Sequence, residues 1–152
     1  YYINLSQDDF KLGGSSFAQI LNSIGSDAPT IKDAVFFKNA FNSLQELVLD
    51  QQIIAGHDIG SGGLITTLLE MCFNPLLLDG EKQVQEAGMT IDLSVFEEVD
   101  LVKVLFAENI GIVLQAKSDA AVEAKLNANK IEFFKFFIYL FPIRCGKRNS
   151  WI

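Results

Sequence analysis

Between residues 33 and 49 the apolar side chains of Phe37, Ala40, Phe41, Leu44, Leu47 and Val48 return at intervals of three and four. That spacing lines one side of an α-helix of about five turns. Such a helix needs an apolar surface to lie on, so the rest of the chain must supply a packed layer. The 152 residues are enough for one domain with a real core. Hydrophobic residues make up 49% of them, which places the chain among globular proteins. The 13 phenylalanines read as packing rather than as a platform for stacking bases.

Around that helix the pattern alternates between short strands and helices. Tyr1–Leu5 reads as a strand, and Gly13-Gly14-Ser15-Ser16 as a turn whose serines cap a short helix through Ile24. Thr30, three residues before Asp33, resembles a capping box at the start of the long helix. Strands are expected over Gln52–Gly56, Met89–Leu93, Gly111–Ala116 and Ile131–Phe141. Helices are expected over Leu64–Phe73, Asp100–Ala107 and Asp119–Ala128, and a loop over Asn74–Gly88. The expected architecture is α+β, a mixed β-sheet carrying packed helices, with one domain over residues 1–141. Residues 142–152 stand apart. After Glu132 there is no acidic residue, and the end carries Arg144, Lys147, Arg148 and Trp151. That tail is expected to be poorly ordered and cut first by proteases.

Charge and composition narrow the function classes. Nineteen acidic against 12 basic residues give a net charge of -7, which opposes binding to nucleic-acid phosphates or anionic lipid. No apolar run reaches the 18 residues needed to cross a bilayer. Two cysteines, Cys72 and Cys145, give no disulfide framework, and a single histidine, His57, disfavours an imidazole-built zinc site. Cys72 reads as a packed core thiol. The start carries neither a signal-peptide pattern nor a methionine. The expectation is a cytoplasmic setting and a piece of something longer, whose missing neighbour leaves apolar surface for self-association.

One segment reads as a site. Gly56-His57-Asp58-Ile59-Gly60-Ser61-Gly62-Gly63-Leu64 runs from a strand through a glycine turn into a helix. Unpaired amides at a helix start attract an anion, and glycines let a phosphate come close to the backbone. Asp58 is placed to offer magnesium a hard oxygen. The spacing matches neither standard nucleotide fingerprint. A plain tight turn explains the same residues. His57 reads either as a base or as a turn-holding hydrogen bond, and Glu70 and Glu108 either as an acid/base pair or as solvated or capping carboxylates.

Three ordered blocks also carry a resemblance. They are Leu12-Gly13-Gly14-Ser15-Ser16-Phe17-Ala18-Gln19, the Gly56–Leu64 segment followed by Leu68-Leu69-Glu70-Met71, and Leu105-Phe106-Ala107-Glu108-Asn109 leading to Gly111–Gln115. Together they resemble the phosphoribosylformylglycinamidine synthase family of the aminoimidazole ribonucleotide synthetase superfamily. The match is to the C-terminal domain of the second synthetase-like half of the large single-chain form. The resemblance implies a domain of an ATP-dependent amidotransferase ligase of de novo purine biosynthesis, which makes formylglycinamidine ribonucleotide with glutamine as amide donor. It implies an upstream ATP-binding domain and a downstream glutaminase domain as partners, with no catalytic residue in this stretch. It also implies an auxiliary ADP–magnesium site in which Asp58 is the metal ligand and Gly60, Ser61 and Gly62 lie at the nucleotide. The family's serine position is Gly60 here, with Ser61 next to it. Alternatives are a selenophosphate synthetase or thiamine-phosphate kinase type domain, or a binding module without catalysis.

Overall fold

The computed structural model describes residues 1–73, 87–136 and 138–142. In chain order these form β1 (Tyr2–Asn4), α1 (Ser16–Ile20), α2 (Ala34–Leu49), β2 (Ile53–Asp58) and α3 (Gly63–Cys72). Then come β3 (Ala87–Ile91), α4 (Leu101–Phe106), β4 (Gly111–Ala116), α5 (Asp119–Ala128) and β5 (Ile138–Pro142). The class is α+β, as expected. The expected tail, apart from Pro142 at the end of β5, and most of the expected 74–88 loop lie outside the described residues.

β4 is the middle strand of a three-stranded sheet with order β1-β4-β2. Both of its ladders are antiparallel, with Tyr2 opposite Val113 on one side and His57 opposite Val113 on the other. β3 and β5 form a separate antiparallel pair. The mixed sheet expected from sequence is therefore corrected: every ladder among the described residues is antiparallel. Alternation of helix and strand along a chain does not encode strand direction. Direction here comes from pairing between segments far apart, such as β1 with β4.

Strand periodicity gives the sheet two apolar faces. On one face Ile3 and Leu114 pack with Ala40, Leu44 and Leu47 of α2 and with Val122 and Leu126 of α5. On the other, Tyr2 and Val113 pack with Leu64 and Leu68 of α3, Val104 of α4, and Phe96. The central strand is thus covered by helices on both sides, and β2 lies at the end of the sheet with its site residues at its C-terminal tip.

Local chemistry sets the element ends. Asp33, not Thr30, caps α2: its carboxylate accepts from the amides of Val35 (2.8 Å) and Phe36 (3.0 Å). Thr30 instead gives its own amide to Asp8. Asp100 and Ser118 cap α4 and α5 in the same way. α1 stops at Ile20 rather than Ile24 because Asn22 turns left-handed (φ +53) and Ser23 N donates to Ala18 O, a reversal that closes a helix. Phe41 and Val48 are each about half exposed, so the buried stripe of α2 is narrower than its apolar spacing suggests. The expected strand over 131–141 is reduced to a single bridge between Phe134 and Tyr2, followed by β5.

Candidate functional site: a glycine turn stapled by a carboxylate

The strand expected to end at Gly56 continues through His57 and Asp58, so both residues stand on the tip of β2 rather than in the turn. Ile59 N donates to Gly111 O at 2.9 Å, and Gly63 N to Gly60 O at 3.1 Å, which fixes the turn between sheet and helix. Thr67 Oγ1 donates to Asp58 O at 3.0 Å and ties the first turns of α3 back to the strand end.

The glycines of the turn are not equivalent. Gly62 (φ +91) and Gly63 (φ +73) lie in the left-handed region. A Cβ on Gly63 would stand 2.7 Å from Leu105 O, so α3 can reach α4 only without a side chain there. Gly60 has ordinary backbone angles, and a Cβ built on it meets nothing within 4 Å. It faces open space.

Asp58, Gly60 and Ser61 are exposed, and Gly62 is half-buried. The Asp58 carboxylate is 88% exposed and 3.6 Å from His57 Nδ1. His57 is held by its neighbours: Nδ1 donates to Asp58 O at 2.7 Å, and Nε2 lies 2.9 Å from Glu70 Oε2 on α3. This is the holding role, with strand and helix joined through the ring.

Glu108 is where the structure adds most. Its Oε1 accepts from the amide of Ser16 and from the amide of Gly62, both at 2.8 Å. Ser16 opens α1 and Gly62 precedes α3, so one carboxylate oxygen caps two helices and brings the 12–16 and 60–63 turns together. Burial pushes the Glu108 carboxyl up, but the Gly62 and Ser16 amides outweigh it and hold the group below the usual glutamate range. Glu70 and Glu108 therefore have separate partners rather than forming an acid/base pair. Asn109 beside it is fully buried and donates from Nδ2 to Ser6 Oγ and to the carbonyls of Asp8 and Asp9.

Sequence reasoning also passed over Asp8. Its side chain is wholly buried, and its oxygens lie 2.7 Å from Lys32 Nζ and 3.1 Å from Lys11 Nζ and accept from Thr30 N. Lys32 above all, then burial working the other way, leaves its carboxyl far below the usual aspartate range. The i, i+3 spacing of Asp8 and Lys11 was the one local signal for this cluster. Asp8 also borders a cleft of about 560 Å³ that shares no residue with the glycine turn. Cys72 is half-buried rather than a core thiol, and burial raises its pKa. Among the described residues no three His, Cys, Asp or Glu side chains group to hold a metal ion, and no helix is long and apolar enough to cross a membrane.

The chain is 37% identical over 130 residues to the "Probable phosphoribosylformylglycinamidine synthase, chloroplastic/mitochondrial" of Arabidopsis thaliana, covering 84% of the chain and 8% of that protein. It is 37% identical over 121 residues to the phosphoribosylformylglycinamidine synthase of Dictyostelium discoideum and 34% identical over 116 residues to that of Homo sapiens. Each of these two matches covers 76% of the chain and 8% of the relative. The chain thus corresponds to a small part of much longer proteins. The family described as AIR synthase related protein, C-terminal domain, matches residues 8–135, a stretch that holds both glycine turns and Glu108. The chain belongs to that family.

Proposed function

We propose that this chain is the C-terminal synthetase-like domain of a phosphoribosylformylglycinamidine synthase, and that its Asp58–Gly62 turn helps to form an auxiliary ADP–magnesium site. The observation that carries the reading is the ordered run of three motif blocks, two of them joined physically by Glu108, within a chain 34–37% identical to three synthases of that name. The three named relatives favour this enzyme over a selenophosphate synthetase or thiamine-phosphate kinase type. The whole enzyme would be the ATP- and glutamine-dependent ligase, with an ATP-binding domain upstream and a glutaminase domain downstream. This domain, which we take to span residues 1–141, would contribute no catalytic residue. The cytoplasm is the proposed setting for this chain; the Arabidopsis relative is named as chloroplastic or mitochondrial.

The donor set suits magnesium. Asp58 offers one exposed carboxylate at the rim of the turn, and magnesium is commonly bound through one or two carboxylates plus phosphate oxygens and water. When bound, the ion supplies positive charge beside the phosphates. Asp58 would hold it, Gly60 and Ser61 would present backbone amides and the Ser61 hydroxyl, and Gly62 would fix the turn. The open space above Gly60 leaves a phosphate room to approach the backbone.

A titration with magnesium-ADP followed by fluorescence tests the reading, first on this chain and then on the chain joined to its upstream half. Weak binding alone and markedly tighter binding in the joined form is the expected result. No binding in either form would refute a nucleotide role and leave a plain interaction module.

A further inference from the structure

The cleft beside Asp8 lies apart from the glycine turn and carries charge of one sign. Its apolar walls are the half-buried rings of Phe10, Phe133 and Phe134. Among the described residues its lining holds five carboxylates and no lysine or arginine. Two of the five have partners: Asp8 is paired with Lys11 and Lys32, and Glu98 stands 3.8 Å from Lys103. Asp9, Glu97 and Glu132 are exposed, with no cation at ion-pair distance among the described residues. The opposite charge is concentrated elsewhere in the sequence. Residues 143–152 hold Arg144, Lys147, Arg148 and Trp151 with no acidic residue, and both arginines of the chain are among them. Residues 1–142 hold the other nine basic residues against all 19 acidic ones, a net charge of -10.

We propose that this cleft is the docking site of the chain's own basic segment, residues 143–152: its cations meet Asp9, Glu97 and Glu132, and Trp151 lies on the phenyl walls. The inference is independent of the nucleotide reading. Chain geometry permits it. Only three residues separate Phe134, a wall of the cleft, from Ile138 at the start of β5. β5 then runs from Ile138, opposite Ile91, to Pro142, opposite Ala87, which carries the chain about 14 Å onward. Ten further residues stretch to about 33 Å, so they can turn back past β5 and cover the cleft. The attraction is between exposed charges and is therefore screened by salt. Stacking of the indole and of the arginines on the phenyl rings adds an apolar part. A segment held in this way is shielded from proteases at low salt. It becomes the early cleavage site expected from sequence once salt releases it.

Trp151 is the single tryptophan of the chain, so its fluorescence reports on this segment directly. The test is acrylamide quenching of the whole chain at low salt and at about 1 M sodium chloride, where the Debye length falls to about 3 Å. The indole should be protected at low salt and open to quencher at high salt, a comparison that needs no variant to fold. The double substitution Glu97→Gln with Glu132→Gln should open it already at low salt. The ratio of docked to free segment should fall about tenfold, the effect of losing two surface ion pairs. Glu46→Gln with Asp50→Asn on α2 removes the same charge from residues that do not border the cleft, and should leave the indole protected. Equal quenching of the wild type at both salt concentrations would overturn the inference. So would wild-type protection in the Glu97/Glu132 variant, which would place the segment elsewhere, or release by the α2 substitutions, which would reduce the attraction to overall charge. Protection that grows with protein concentration would overturn it in favour of docking on a second copy.

Discussion

Asp8 and Glu108 are both carboxylates that hold distant segments together, but they are neutralised differently. Asp8 is wholly buried against two lysine ammonium groups and the Thr30 amide. Glu108 is half-buried and is met by two backbone amides. The first arrangement is electrically closed and locks the 8–32 region. The second keeps a full negative charge at the edge of an exposed rim. A carboxylate paired with lysine makes a joint. One paired with amides makes a joint that keeps its charge.

Breaking each region should separate the two roles. The largest stability loss is expected for Asp8→Ala, about 3 kcal/mol by urea denaturation, because it removes a wholly buried carboxylate that accepts from the Thr30 amide and pairs with two partly exposed lysines. A folded-state pKa held below the ordinary aspartate value also fixes a pH window. The Asp8 contribution is fully present above about pH 4 and is lost as pH falls below that. Thermal melts between pH 5 and 2 should show the decline in the wild type and a flatter profile in Asp8→Asn.

Gly63→Ala should come next, at about 2 kcal/mol, since alanine resists φ +73 and its methyl would press on Leu105 O. Gly60→Ser should lie at the other extreme. With ordinary backbone angles and nothing within 4 Å, it should be neutral or stabilise by roughly 0.5 kcal/mol through the unfolded chain. If the two substitutions cost the same, the division of this turn into a structural half and an open half is mistaken.

The sequence made the local features legible and hid the distant ones. Strand β4 and helix α5 fall at their expected residues, because periodicity and a capping serine are local signals. The extent of α2 was readable, but its cap was placed on Thr30 instead of Asp33, since both carry a suitable oxygen and only tertiary contact with Asp8 decides between them. The glycine turn stood out by composition. Its staple did not, because Glu108 is 92 residues from Ser16 and 46 from Gly62. Strand direction was hidden for the same reason. β1 finds its partner more than 100 residues away, and no local pattern specifies whether they run together or opposed.

The most direct test of the open rim is a set of thermal melts with and without magnesium-ADP, on the chain joined to its upstream half, comparing wild type with Asp58→Asn. The Asp58 side chain is 88% exposed and makes no bond that the fold depends on, so without ligand the two melts should coincide. With nucleotide at about 100 times its dissociation constant, the wild type should gain roughly 2.7 kcal/mol of stability and melt higher. Asp58→Asn should lose most of that gain. A nucleotide-dependent shift that survives Asp58→Asn unchanged would contradict the account and leave this aspartate as the end of a strand.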